Sequence, residues 1–365
     1  MKVAIGLRLQ DGPFGGANQF GKSIALFLNH RGIEVVFDLV DTDIDIIVLI
    51  APQHSRRFIS FGPVEIMDYL QRKNSKAMVV HRINECDERK GTHTMNKQLA
   101  LANSIADHSV YVGSWLVDLF RNQGLTFTSS YQVILNGGDS TIFQFKQKTV
   151  PPSQKVKLVT HHWAANWMKG WDVYMFIDSL LGLPEHRENL ELHVIGNVPK
   201  ECQPTHLVVH APRTGKDLAQ LLSTFDVYLT ASIHEPGANH PTEGALCGLP
   251  LLYRNSGSLP EYCKGYGEMF TGVHDILPAL ERLLSAYPSY ASRMASYHHT
   301  SERMCEEYLQ LFTSLLSHRD QILQKRPVGA YGSKKRIRMK LALAFYRIIS
   351  KLERLNLYGK NVRQV

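Results

Sequence analysis

The chain has little of what would place it outside the ordinary globular class. Its five cysteines (Cys86, Cys202, Cys247, Cys263 and Cys305) are odd in number, far apart and free of C-x-x-C spacing. That weighs against a disulfide framework and a cysteine zinc site, and it suits reduced thiols in a cytoplasmic setting. No apolar run approaches the ~20 residues that a membrane-spanning helix requires. The chain opens directly on K-V-A-I-G-L, so no signal peptide is expected. G-x-G-x-x-G is missing, as is an acidic residue well placed for a ribose, which disfavours a dinucleotide oxidoreductase. No grouping of His, Cys, Asp and Glu has metal-ligand spacing. Asp41, Asp43 and Asp45 do contain D-x-D, but they precede the strand-like run I-I-V-L-I instead of following it. They read as the polar entrance of that strand, and neither a catalytic metal nor another cofactor is expected.

Acidic residues are scarce in one region only. Residues 325–365 hold twelve Lys/Arg and the single acid Glu353, a net charge of +11. The chain as a whole carries +8, so the first 324 residues are mildly acidic at −3. A nucleic-acid-binding protein would account for such a tail, and strongly salt-dependent binding would be its mark, but it leaves the pair Glu235 and Glu243 unexplained and is not expected. Within the tail, Ile337, Leu341, Phe345, Ile348, Ile349, Leu352 and Leu355 recur at helical spacing, with Lys340, Arg347, Lys351 and Arg354 off that stripe. Two readings are open: a helix packed on the body with solvated charges, or an interfacial helix over residues 334–355 on an anionic membrane surface.

What is present is a two-domain α/β pattern. The content is 44% hydrophobic and 20% charged, as in globular proteins, and 365 residues suit two cores better than one. Strand-like and helix-like stretches alternate from the start, as in a doubly wound parallel sheet. A strand at 3–7 leads into D-G-P-F-G-G-A-N and an amphipathic helix at 19–30, a phosphate cradle in outline, though glycine-rich first turns are common. A buried strand at 78–81 ends on His81, which reads equally as a satisfied structural histidine. The polar stretch that follows, to about residue 97, reads as a solvated loop or as part of an acceptor surface. A linker, K-Q-K-T-V-P-P-S-Q-K, sets a boundary near residue 150, and a second sheet opens at Val156.

The most informative stretch is 232–261, S-I-H-E-P-G-A-N-H-P-T-E-G-A-L-C-G-L-P-L-L-Y-R-N-S-G-S-L-P-E. A short strand (225–230) runs into a Pro/Gly-rich loop, a small-residue helix (242–247) stopped by Gly248 and Pro250, and another strand from Leu251. In open α/β sheets, ligands lie outside the carboxyl ends of strands, at loops of this kind. Glu235 and Glu243 fall in that loop and in the first helical turn. Two carboxylates so placed suit a ligand rich in hydroxyls, since each accepts two hydrogen bonds. The plainer reading is a solvated Glu235 and a Glu243 that complements a helix dipole.

Glu-Pro, a second Glu seven residues beyond that Pro, A-L-C-G-L-P and then a Gly-Ser-x-Pro-Glu turn together resemble the donor-site signature of retaining nucleotide-sugar glycosyltransferases of group 1 (family four). The resemblance implies a GT-B fold: two Rossmann-like domains facing a cleft, at 1–150 (acceptor side) and 151–300 (donor side), then a crossover helix at 301–325 and the basic tail at 326–365. It implies Glu235 on the donor sugar, Glu243 on the ribose and Lys169, followed by Gly170, on the diphosphate. Gly237, Ala238 and Asn239 stand where the family usually has Phe-Gly-Leu, contributing backbone N–H groups. Gly15 and Gly16 are implied beside the diphosphate, Gly196 near the nucleotide, and His81 facing the sugar. The family's phosphate-binding arginine is missing, and strand alignment puts His162 at its position. The implied activity is transfer of a hexose-type sugar to a saccharide or lipid-linked acceptor, without metal, by front-face substitution. A sugar-nucleotide epimerase of the same shape is the alternative.

Overall fold

The computed structural model describes the backbone of residues 1–361 except 13–14, 54–56, 129, 149–154, 328 and 330, and side chains as far as residue 353. The centre of the expected linker thus lies outside the described residues, as do Pro13 and Phe14 of the first turn. The chain divides into two compact units. Unit 1 comprises Met1–Gln10, Ala17–Ile134 and Cys305–Val365; unit 2 comprises Asp11–Gly16 and Leu135–Met304.

Unit 1 is built on a six-stranded sheet: β1 (Lys2–Ile5), β2 (Glu34–Val36), β3 (Ile46–Leu49), β4 (Met78–Ile83), β5 (His108–Tyr111) and β6 (Tyr131–Val133), in the order β2-β1-β3-β4-β5-β6. All its pairings are parallel. β3 and β4 are buried at every position, which is why Ile46–Leu49 and Met78–Val80 read as continuous apolar runs without alternation, although β4 goes on to bury His81 and Arg82. β4 extends to Ile83, so His81 lies inside the strand and not at its end. The entrance of β1 explains the aspartates: Lys2 Nζ donates to Asp41 Oδ2 at 2.9 Å and pairs with Asp43 Oδ1 at 2.9 Å, while Lys2 N–H donates to Asp45 Oδ2 at 2.9 Å.

Unit 2 repeats the plan with β7 (Val156–His162), β8 (Leu190–Gly196), β9 (Val208–His210), β10 (Val227–Thr230), β11 (Leu251–Arg254) and β12 (Gly267–Phe270), again wholly parallel, in the order β12-β11-β10-β7-β8-β9. The chain moves outward from β7 to β9 and then returns to lay β10 on the other side of β7. That reversal makes a topological switch point between β7 and β10, where the loops leaving the two carboxyl ends diverge.

The sequence places the division near residue 150, whereas the contacts place it at Ile134/Leu135. Backbone pairing accounts for the difference. Asn136 N–H donates to the buried Tyr262 Oη at 2.8 Å, Ser301 N–H donates to Gly138 O at 2.7 Å, and Lys146 N–H reaches Cys247 O at 3.4 Å. Residues 135–148 are therefore tied to unit 2 before the linker is reached. The expected final helix is broken at His318 into Ser301–Ser317 and Arg319–Gln324, and the chain ends in the Ser333–Asn361 helix.

Arg326 anchors this C-terminal segment to the sheet of unit 1. Its guanidinium donates to Asp107 Oδ1 at 2.8 Å, to Asp107 Oδ2 at 2.5 Å, to Ser75 O at 2.7 Å and to Ala77 O at 2.6 Å. Asp107 Oδ2 also accepts the Val79 N–H at 2.7 Å, at the start of β4. Both side chains are largely buried, at 11% and 4% exposure. Removing one partner of a buried pair leaves the other charge uncompensated, so Arg326→Ala is expected to lower the unfolding free energy by about 3–5 kcal/mol in urea denaturation. Arg326→Met combined with Asp107→Asn should recover part of that loss. A single-variant loss under about 1 kcal/mol would mark the contact as an ordinary surface pair.

Candidate functional site

Lys169 and Glu235 meet at the switch point of unit 2. β7 ends at His162, and a single turn, Trp167–Lys169, leads through Gly170 into the Trp171–Leu180 helix. Gly170 has φ +101°, and a Cβ built on it would lie 2.4 Å from the Cβ and carbonyl oxygen of Ala231, the residue just after β10. Only glycine lets the two loops approach so closely. Ile233 N–H then donates to Met168 O at 2.9 Å, stapling one loop to the other. Lys169 Nζ comes to 3.3 Å from Glu235 Oε2.

Glu235 is only 6% exposed. It is framed from behind by the next loop: its carbonyl accepts the Ser258 N–H at 2.8 Å, and Gly257 (φ +61°) leaves 2.3 Å between a built Cβ and that same oxygen. The preceding residue, His234, holds φ +49°, the single positive φ among described non-glycine residues, and its N–H donates to Ser256 Oγ at 2.8 Å. Backbone strain of this sort persists where the surroundings over-determine it, which is common at binding sites. Arg254, at the end of β11, holds the frame together with two bonds to Asp172, at 3.0 and 2.8 Å.

Glu243 stands in the first turn of the His240–Leu246 helix and is held by a residue that sequence reasoning missed. His161 Nε2 lies 2.8 Å from Glu243 Oε2, and its Nδ1 lies 2.9 Å from Tyr228 Oη. Burial raises the Tyr228 phenol well above its usual range, so it stays protonated. It accepts the His161 backbone N–H at 3.2 Å and donates its own hydrogen to Nδ1, which leaves Nε2–H to donate to Glu243. A tyrosine–histidine–glutamate relay thus fixes one oxygen of the carboxylate. The available signal was the alternation of β7: 159 and 161 share the face toward Tyr228, and 160 and 162 the other.

That same alternation turns His162 away from Glu243. Its ring packs against Tyr174 (centroids 6.1 Å apart, nearly parallel) and edge-on to Trp171 at 5.7 Å, at 4% exposure. It therefore lies on the face of β7 opposite Glu243. Gly196 (φ +145°) sits beneath it, where a built Cβ would meet His162 O at 2.0 Å. In the 236–239 turn, Ala238 is buried and Gly237 half-buried. Among the described residues, Asn239 Oδ1 and Ser232 Oγ are buried without a hydrogen-bond partner. Buried polar atoms are seldom left so, and two in one loop fit a polar ligand. A Cβ on Gly15 would meet nothing within 4 Å, and one on Gly16 would come 2.5 Å from Asn239 Nδ2, a contact that a turn of the asparagine side chain relieves.

His81 belongs to unit 1. It is fully buried, with Nδ1 3.1 Å from Asn103 Nδ2, and its Nε2 has no partner among the described residues.

No family model matches the chain, and no curated protein matches it. Solved structures do. HepE from Anabaena in complex with UDP-glucose is 16% identical, covering 86% of this chain and 100% of that one at a TM-score of 0.62. Sucrose-phosphate synthase from Thermosynechococcus elongatus is 13% identical, covering 87% and 99% at 0.59. WaaG, a glycosyltransferase involved in lipopolysaccharide biosynthesis, is 14% identical, covering 88% and 99% at 0.52. With its two Rossmann-like sheets, the chain has the GT-B fold.

Burial pushes the His81 imidazole down to about 3. An unfolded histidine titrates near ~6.5, so below that pH the unfolded chain binds a proton that the native chain refuses. Stability is complete above pH 7 and falls as the solution is acidified toward pH 4, by up to about 1.4 kcal/mol per pH unit for this residue. His81→Asn keeps an acceptor for Asn103 and should reduce the proton uptake on unfolding at pH 5 by about one. Equal slopes for parent and variant in urea titrations at pH 7, 6 and 5 would show that His81 is protonated in the native state.

Proposed function

We propose that the chain is a retaining glycosyltransferase that moves a hexose-type sugar from a nucleoside-diphosphate sugar to a saccharide or lipid-linked acceptor. The carrying observation is the placement of Glu235 and Glu243 around the β7/β10 switch point, each carboxylate held by its own donor, Lys169 and His161. Ligands of α/β sheets lie at such points, and HepE, which shares the fold, forms a complex with UDP-glucose. In this reading Glu243 accepts the ribose hydroxyls on the oxygen that His161 leaves open. Lys169 pairs with the diphosphate, Glu235 orients the sugar, and backbone N–H groups of Gly15, Gly16, Gly237, Ala238 and Asn239 line the rest, with Gly196 at the nucleotide. By the same resemblance, His81 faces the donor sugar. His162 contributes by fixing the strand end, not by touching phosphate.

Front-face substitution is the mechanism that the resemblance implies. The bond from the anomeric carbon to the diphosphate oxygen breaks as the acceptor oxygen bonds to the same face, and the acceptor proton passes to the departing diphosphate. The protein's part is to position the partners and stabilise charge. Lys169 is then paired with Glu235 at rest and with the leaving diphosphate as negative charge grows there. No metal or other cofactor is required. The proposed setting is cytoplasmic, with attachment to the inner face of a membrane through residues 334–355, in the synthesis of surface polysaccharide or glycolipid.

A thermal-shift panel of uridine, guanosine, adenosine and cytidine diphosphates identifies the nucleotide, since ligand at 100 times its dissociation constant adds ~2.7 kcal/mol. With that nucleotide, Glu243→Ala is expected to weaken binding by about 1.5–3 kcal/mol in calorimetry, and His161→Phe to weaken it less while sparing turnover at saturation. Glu235→Ala should abolish transfer with nucleotide binding nearly intact. Parent-like binding in both Glu243→Ala and His161→Phe would overturn the ribose assignment.

A further inference from the structure

The Ser333–Asn361 helix has two apolar faces, and only one is used within the chain. On the inner face, Met339 and Leu343 are buried in the core of unit 1 with Ile66, Met67, Leu70 and Ala102. Ser350 Oγ meets Thr94 Oγ1 at 2.7 Å, and Arg336 pairs with Asp68. The expected packing on the body is therefore real, but it employs residues outside the apolar stripe. Most of the stripe points away, while Ile349 is half-buried and the side chain of Leu355 lies outside the described residues. Ile337, Leu341, Phe345, Ile348 and Leu352 are each 55–65% exposed. At 3.6 residues per turn they form one row along the outer side. Rows of large apolar side chains left in water mark interaction surfaces.

The surrounding charge identifies the occupant. Lys334, Arg338, Lys340, Arg347 and Lys351 are exposed, and no Asp or Glu occurs from Ser333 to Leu352. A second copy meeting this face by two-fold symmetry would set like charges against each other. An anionic bilayer complements both features: basic side chains reach lipid phosphates while the apolar row enters the boundary between headgroups and acyl chains. No helix among the described residues is long and apolar enough to cross a membrane, so the helix lies on the surface.

We propose that the outer face of the Ser333–Asn361 helix, centred on Leu341 and Phe345, docks unit 1 on an anionic lipid surface as a preformed helix. The inner face keeps the helix folded against unit 1 in the absence of lipid. The assignment deepens the proposed function, by fixing which part of the protein carries the enzyme to its acceptor, and rests on that reading only for the identity of that acceptor. The docking itself is independent of catalysis.

Flotation of the full chain with vesicles of phosphatidylcholine alone, or of phosphatidylcholine mixed with phosphatidylglycerol, tests it. Binding is expected to the anionic vesicles at low salt and to fall as salt rises. Leu341→Asp with Phe345→Asp should reduce it more than about tenfold, and each of Lys340→Gln, Arg347→Gln and Lys351→Gln by roughly fivefold. Because these positions are exposed, circular dichroism and melting temperature should match the parent in every variant. Failure of the parent to bind anionic vesicles at low salt would overturn the proposal, as would equal binding by the double variant. A concentration-dependent dimer that the double variant abolishes, without lipid binding, would assign the face to self-association instead. Nucleoside-diphosphate binding in the same samples reports separately on the transferase reading.

Discussion

The site depends on how closely the backbone after β7 approaches the backbone after β10. Gly170 lies against Ala231 with no room for a side chain, and Ile233 donates across the gap to Met168. Everything chemical at the switch point follows from that approach. It brings Lys169 to the buried carboxylate of Glu235, and Gly257 closes on Glu235 from behind. A methyl group at Gly170 would part the loops and separate the cation from the carboxylate. It would also meet a backbone conformation of φ +101° that side chains rarely adopt. The strained φ of His234 belongs to the same frame: a carboxylate held in one orientation before any ligand arrives contributes pre-organisation, not merely charge.

Much of this was legible in the sequence, and the limits have physical causes. Parallel sheets buried on both faces write themselves as continuous apolar runs, so the alternation of strands and helices was readable. Glu235, Lys169 and Glu243 lie next to glycine and proline punctuation that positions them. What sequence reasoning missed depended on which way a strand turns. His161 and His162 are adjacent and chemically identical, and only the pleat decides that one holds Glu243 and the other packs on Trp171. An alignment of strands places the position, not the face. The division of the chain by contacts differs from the division by composition for a similar reason. Proline-rich composition marks where the chain is irregular, whereas hydrogen bonds from Asn136, Ser301 and Lys146 decide which unit owns the preceding residues.

The C-terminal segment shows another limit. Helical periodicity found an apolar stripe and left open whether it packs on the body. Two residues outside that stripe, Met339 and Leu343, do the packing, and they need only a narrow face because Arg326 has already tied the segment to the start of β4. A helix so anchored can keep a row of large apolar side chains in water. The sequence contained both faces, but the wider one drew attention from the narrower.

The central claim is that a nucleoside diphosphate binds at the β7/β10 switch point of unit 2, and hydrogen exchange tests it most directly. On adding the diphosphate that stabilises the chain, the account predicts slowed exchange in residues 163–170 and 232–243, with the exposed outer strands of the same sheet unchanged. Stabilisation of the chain with unaltered exchange in both segments would contradict it.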